Sequence, residues 1–72
     1  MIDNKAVGAR LKALRGDKPI EKVCLDNNIS YSALTKYEMG IRTPRDELKL
    51  KLAQYYGASV ESIFFATNAH ES

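Results

Sequence analysis

Four side chains that can form hydrogen bonds or ion pairs share one face of a short predicted helix near the middle of the chain. At about 100° per residue they lie opposite the arc shared by Ala33, Leu34 and Tyr37. Hydroxyl groups donate to and accept from polar edges, and an ammonium group attracts anions. Because a helix needs apolar residues only on its packed side, this polar face is a candidate for recognising a ligand. Its members are Tyr31, Ser32, Thr35 and Lys36.

Residue types used in catalysis and metal binding are sparse. His70 is the one histidine and has no second ligand near it, and no Ser, Asp or Glu forms a nucleophile–base pattern. Cys24 is the one cysteine, which excludes an intramolecular disulfide. We expect it to be a small packing residue in a reducing compartment. The sequence therefore predicts neither an enzyme nor a cofactor or metal ion.

Chain length and charge distribution indicate one small domain with a basic half. No segment has the apolar run of a signal peptide or the length of a membrane span, so we expect a cytoplasmic protein with no membrane partner. Residues 1–45 contain nine Lys or Arg against five Asp or Glu, whereas residues 46–72 contain two against four. The basic half includes the polar helix face.

Start and stop signals predict five short helices. Ser, Thr, Asp and Asn accept hydrogen bonds from the first N–H groups of a helix, and Gly or Asn ends a helix in the left-handed conformation. The all-α fold class follows from these signals. The predicted N-caps are Asp3 or Asn4, Ser30, Thr43 and Ser59, with Pro19 and Pro44 in first turns. The predicted ends are Gly16, Asn28, Gly40 and Gly57.

Apolar spacing predicts which helix residues face the core. Gly8 in the first helix weakens it by up to about 1 kcal/mol relative to Ala, so we expect a close neighbour there. A domain spanning 1–66 precedes a predicted polar tail at 67–72. The inward residues are Val7, Leu11 and Leu14, then Val23 and Cys24, then Leu34 and Tyr37, then Leu48, Leu52, Ala53 and Tyr56, and finally Val60, Ile63 and Phe64.

One pattern of residues extends over nearly the whole chain. Its members are Val7-Gly8-x-Arg10-Leu11-x-x-Leu14-Arg15, Val23-Cys24, Ile29-Ser30, Ser32-Ala33-Leu34, Tyr37-Glu38-x-Gly40 and Pro44. Over residues 5–66 this pattern resembles the phage lambda-repressor/Cro-like helix-turn-helix family. The resemblance implies a compact five-helix bundle with a helix-turn-helix at 20–39, whose second helix, 31–39, enters the DNA major groove. It also implies a structural ion pair between Arg15 and Glu38.

The resemblance assigns roles to two groups of polar residues. Without it, Tyr31 would be an ordinary surface aromatic and Lys36 a solvated lysine. Two positions depart from the family pattern, because a polar residue is common at Ile20 and an apolar one at Asn27. The base-contacting candidates are Tyr31, Ser32, Thr35 and Lys36, and the phosphate or minor-groove candidates are Lys18, Ser30, Arg42 and Arg45.

Leu50 and Phe65 are left off the inward faces. They suggest an apolar patch that a twofold partner would cover, although a solvent-tolerant Phe near a chain end explains Phe65 equally well.

The leading hypothesis is a sequence-specific double-stranded DNA-binding regulator, acting as a homodimeric repressor on a palindromic operator. The alternative is a protein-binding module on the same fold, such as an antitoxin or antirepressor. A toxin, an antirepressor or polymerase would then be the protein partner.

Overall fold

The computed structural model describes residues 3–65, and this part of the chain forms five helices and no strand. None of these helices is long and apolar enough to cross a membrane. The predicted all-α class is confirmed. The predicted tail at 67–72, with His70, and the domain boundary at residue 66 lie outside the described residues. The helices are α1 (Asn4–Arg15), α2 (Ile20–Asn27), α3 (Tyr31–Glu38), α4 (Asp46–Tyr56) and α5 (Glu61–Phe65), the last a π-helical turn.

Side-chain oxygens cap the helices at three of the predicted positions. Each accepts a hydrogen bond from a backbone N–H in the first turn, which would otherwise lack a partner. Pro19 directly precedes α2 instead of lying in its first turn, and its carbonyl accepts from the N–H of Lys22 at 3.1 Å. The capping pairs are Asp3 with Lys5 and Ala6, Ser30 with Ala33, and Ser59 with Ser62.

The start of α4 differs from the prediction. Thr43 does not cap this helix, because its hydroxyl donates to Asn4 Oδ1 at 2.6 Å and so joins the preceding loop to α1. Pro44 is buried, and Arg45 has extended backbone with φ −67° and ψ 163°, so the helix cannot begin before Asp46. The prediction used only the residues next to Thr43, whereas the hydroxyl of Thr43 bonds to a residue 39 positions earlier in the chain.

The core is built from the predicted inward faces, with one exception. Leu14 is 40% exposed, because the last turn of α1 presents Arg15 and not Leu14 to α3. Leu48, Tyr56 and Val60 are half-buried and pack against the core. The buried apolar residues are Val7, Leu11, Val23, Cys24, Ile29, Leu34, Tyr37, Leu52, Ala53, Ile63 and Phe64.

Three helices end in the same C-terminal motif. The residue past the last turn has positive φ, and the N–H of the next residue bonds to a carbonyl five positions earlier, which satisfies an otherwise unpaired acceptor. The positive-φ residues are Asn28 after α2, Gly40 after α3 and Gly57 after α4, as predicted. The closing bonds run from Ile29 to Cys24 at 2.9 Å, from Ile41 to Lys36 at 3.0 Å and from Ala58 to Ala53 at 2.9 Å.

Candidate nucleic-acid interface

The second and third helices are joined by a turn of only three residues. Asn28 has φ 56° and ψ 47°, a left-handed conformation that Asn adopts more readily than most residues. Ile29 is buried in the core, and Ser30 is the N-cap of α3. Cys24 is buried beneath this turn, and burial raises the pKa of its thiol, which keeps the thiol protonated. Its predicted packing role is confirmed.

The predicted polar face of α3 points away from the core. Tyr31 and Ser32 are exposed, whereas Thr35 and Lys36 are half-buried. The Thr35 hydroxyl donates to the carbonyl of Tyr31 at 2.8 Å, so its oxygen remains available as an acceptor. Ser30, a phosphate candidate just before this face, has its Oγ engaged already, because it accepts from the N–H of Ala33 and so caps α3. The structure therefore brings all four base-contacting candidates onto one accessible ridge.

An ion pair holds the C-terminal end of this ridge. Arg15 Nε lies 2.8 Å from Glu38 Oε2 and Arg15 Nη2 lies 3.0 Å from Glu38 Oε1, which is a two-point contact between α1 and α3. Both side chains are largely buried, and the hydrogen bond to Glu38 raises the pKa of Arg15. Arg15 Nη1 also donates to the carbonyl of Lys18 at 2.9 Å. The predicted ion pair is confirmed, and Arg15 also holds the link to α2 through this further hydrogen bond.

Two glycines let the backbones of α1 and α3 approach closely. A Cβ on Gly8 would overlap the carbonyl oxygen of Glu38 and lie 2.9 Å from that of Tyr37. A Cβ on Gly40 would lie 2.9 Å from the Cα of Lys5, and Gly40 has φ 77°. The predicted close neighbour of Gly8 is therefore the end of α3 itself. No other residue type permits this packing without displacing the helix.

Three cations on and just after the polar face lack partners among the described residues. Within residues 3–65, the side chains of Lys36, Arg42 and Arg45 make no hydrogen bond or ion pair. Glu38 is the one acid in residues 30–45, and Arg15 neutralises it. This segment is therefore locally positive. Among the described residues Lys5 and Lys12 also lack partners, whereas the engaged cations are Arg10, Arg15, Lys18, Lys22, Lys49 and Lys51.

Lys18 differs from the other phosphate candidates. Its ammonium lies 4.7 Å from the centre of the Tyr55 ring, so it contributes to the junction between α2 and α4. The Tyr55 hydroxyl donates to Asp26 Oδ2 at 2.6 Å, and Lys22 lies 3.2 Å from the same carboxylate. The hydrogen bond from Tyr55, aided by Lys22, lowers the pKa of Asp26. Lys18 is thus already engaged, unlike Lys36.

Asn27, which departs from the family pattern, has a structural role that the sequence did not reveal. Its side chain is buried and donates from Nδ2 to the carbonyl of Val23 at 2.9 Å. Its own carbonyl accepts from Lys51 Nζ at 2.8 Å, which places a cation at the C-terminal end of α2, where the helix dipole favours one. The alternating Lys and Leu residues of α4 gave no signal for this long-range bond.

The dimer candidates Leu50 and Phe65 are both exposed, at 58% and 47%. Lys49 is the buried lysine of α4, and its ammonium lies 4.9 Å from the centre of the Phe65 ring and 3.5 Å from Asp46 Oδ1. One side of the Phe65 ring is therefore covered within the chain. Leu50 has no such cover and remains the stronger interface candidate.

Tyr56 is half-buried as a residue, but its hydroxyl oxygen is fully buried and has no hydrogen-bond partner within residues 3–65. Burial raises its pKa to about 12, and the nearby Glu38 carboxylate contributes in the same direction. Such an unpaired group costs stability in the folded chain.

Neither a scan against models of known protein families nor a search of curated proteins found a match to this chain. The described residues define a small all-helical domain. Its turn-linked helix pair ends in an accessible polar face followed by unpaired cations.

Proposed function

We propose that the chain is a sequence-specific double-stranded DNA-binding regulator that represses by occluding a promoter. The observation that carries this proposal is the run of unpartnered cations at Lys36, Arg42 and Arg45, directly continuous with the outward polar face of α3. Neutralising phosphates and releasing their counterions supplies much of the affinity of DNA-binding proteins. Because Glu38 is held by Arg15, it does not oppose an approaching phosphate.

The polar face of α3 would read the bases. A major groove about 12 Å wide admits an α-helix, and the exposed N-terminal residues of a recognition helix contact base edges. Ser32 and Thr35 can bond to base edges, the Thr35 methyl can meet a thymine methyl, and Tyr31 adds contact area. The ion pair and the close glycine contacts support this role, since a reading surface needs a rigid support.

A homodimer would place two copies of α3 in successive major grooves, on a palindrome with half-sites about one helical turn apart. Leu50 and Phe65 are the residues we propose for its interface, because both are exposed apolar side chains. We further propose that the protein acts in the cytoplasm, where a regulator of transcription would meet its DNA.

Selection from a random duplex-DNA library at roughly physiological salt tests this function, because nonspecific binding is weak under those conditions. We expect enrichment of one palindromic motif. The matched control is Tyr31→Ala with Ser32→Ala, which removes two exposed groups of the reading face and should abolish enrichment while the fold is kept. If folded wild-type protein enriches no motif, the proposed reading function is wrong.

Exposed apolar side chains favour a second candidate, a protein-binding module such as an antitoxin or antirepressor. Leu25 is 83% exposed on α2, and Leu50 is 58% exposed on α4. Such residues bury readily against a partner. A stable complex with a co-purified toxin or polymerase subunit, together with DNA binding that lacks sequence preference, would support this function over DNA reading.

A further inference from the structure

The C-terminal motif that closes α3 differs from those of α2 and α4 in the residue that follows its positive-φ position. In this motif the residue directly after the positive-φ residue commonly packs an apolar side chain against the helix it closes. Ile29 after α2 is buried, and Ala58 after α4 packs against the core. Ile41 occupies the same position after α3 but is 63% exposed. Its side chain therefore does not perform the packing role that its two counterparts perform.

The backbone that carries Ile41 is held firmly. Its N–H bonds to the carbonyl of Lys36 at 3.0 Å. The neighbouring residues are held against α1. Gly40, directly before Ile41, lies against the backbone of Lys5, and the hydroxyl of Thr43, two residues after Ile41, donates to Asn4. Ile41 is also β-branched, so its side chain has few rotamers to lose when it makes a contact. An exposed, stiff apolar group on a fixed loop is well suited to binding.

The surroundings of Ile41 indicate the chemistry of its ligand. It follows Lys36 and directly precedes Arg42, with Arg45 three residues further on, and all three cations lack partners within residues 3–65. An anionic surface with apolar patches between its charges complements this arrangement. The backbone of DNA has this character, because deoxyribose rings alternate with phosphates along each strand.

We propose that Ile41 packs against the deoxyribose wall of the minor groove while Arg42 and Arg45 bind the phosphates on either side. This inference rests on the proposed DNA-binding function. The loop that carries Ile41 continues directly from the C-terminal end of α3, so with α3 in the major groove these residues would meet a strand that borders the groove. Ile41 thus supplies an apolar component of affinity that salt does not screen.

The test is the affinity of Ile41→Ser for the selected DNA site, measured over a series of salt concentrations. We expect affinity to fall about tenfold at every salt concentration, the loss for about two buried methylene groups, with the slope of log affinity against log salt unchanged. Ile41→Val should retain most of the affinity. Leu25→Ser is the matched control, because it makes the same kind of change at an exposed apolar residue outside this loop and should bind like wild type.

The possible outcomes separate the inference from the function on which it rests. If wild-type protein binds no duplex site, the proposed function itself fails. If wild-type protein binds and Ile41→Ser binds equally well, Ile41 does not contact DNA. A loss of affinity with a flatter salt slope would also overturn the inference, because Ile41 would then act by positioning the arginines. Thermal melting should show an unchanged midpoint for both Ile41 variants, since the side chain packs little within the chain.

Discussion

Gly8 in α1 lies directly against the backbone carbonyl of Glu38, the last residue of α3. The two residues are 30 positions apart in the chain. Their contact sets the distance between the first helix and the proposed recognition helix. It also brings Arg15, two turns further along α1, within reach of the Glu38 carboxylate.

Gly8→Ala should therefore destabilise the chain, even though Ala favours helices over Gly. The added methyl group would overlap two backbone carbonyls that cannot move independently of α3, and overpacking of this kind costs about 1–3 kcal/mol. Thermal melting should show a lower midpoint, and DNA affinity should fall because α3 is displaced. Ala9→Ser, at an exposed neighbouring position, is the control and should lower the midpoint much less, through helix propensity alone, while DNA affinity stays unchanged. An unchanged midpoint for Gly8→Ala would mean that the helices separate freely.

Arg15→Leu should cost about 3–5 kcal/mol, because it leaves the Glu38 carboxylate largely buried without its partner. The free energy of unfolding from urea titration measures this loss. In the double variant Arg15→Leu with Glu38→Leu, neither charge is buried, so part of the stability should return. If the two single losses simply add in the double variant, the residues do not interact energetically.

Tyr56→Phe should stabilise the chain at pH 7 by about 1 kcal/mol, because it removes a buried hydroxyl that has no partner. Tyr55→Phe is the matched control with the opposite expectation, since its hydroxyl donates to Asp26 and its loss should lower stability slightly. Urea titration of the three proteins measures both differences. A less stable Tyr56→Phe would show that its hydroxyl is hydrogen-bonded.

The same substitution should change how stability depends on alkaline pH. The phenol ionises near pH 10 in the unfolded chain and at about 12 in the folded one, so unfolding is increasingly favoured as pH rises between these values. The free energy of unfolding of the wild-type protein should therefore fall between pH 10 and 12 as Tyr56 ionises in the unfolded chain. Tyr56→Phe should not show this fall. The difference in melting midpoint between the two proteins should widen over that range. A constant difference would contradict the raised pKa.

Arg42→Ala and Arg45→Ala should each flatten the salt dependence of DNA binding by about one unit, as expected for one lost phosphate contact. Lys12→Ala is the control, because it removes an unpaired cation of α1 and should leave the slope nearly unchanged. Ser32→Ala should instead alter base preference at an unchanged slope. Fluorescence titrations at several salt concentrations, on the selected site and on single-base variants, measure both effects. Equal losses on every sequence for all these variants would refute this division of roles.

Local signals in the sequence were sufficient for much of the fold. The caps at Ser30 and Ser59 and the left-handed ends at Asn28 and Gly57 depend on residues only a few positions apart, so residue type alone predicted them. The close neighbour of Gly8 was also predictable, because glycine destabilises a helix relative to alanine and so indicates that another segment packs closely there. These features place α3 and its polar face.

Contacts between distant segments were not predictable in the same way. Thr43 has the sequence signature of a cap, yet its hydroxyl bonds to Asn4 in another helix. Lys51 donates to a carbonyl 24 residues earlier, and nothing distinguishes it in sequence from the buried Lys49. Helical spacing also could not tell that Arg15 and not Leu14 would face α3. Each of these contacts depends on which side chains and backbone atoms of a second helix lie nearby in the folded chain.

The eight residues of α3 are fewer than an isolated helix needs to persist in water, where about 12–15 residues are only marginal. Its far end is held by Gly8 and Arg15, which belong to the first helix of the chain. The polar face of α3 therefore keeps its shape only while α1 is docked. Under the proposed DNA-binding function, binding to a DNA site and folding of the chain would form one coupled equilibrium, because a partly unfolded molecule would lack the helix that contacts the bases.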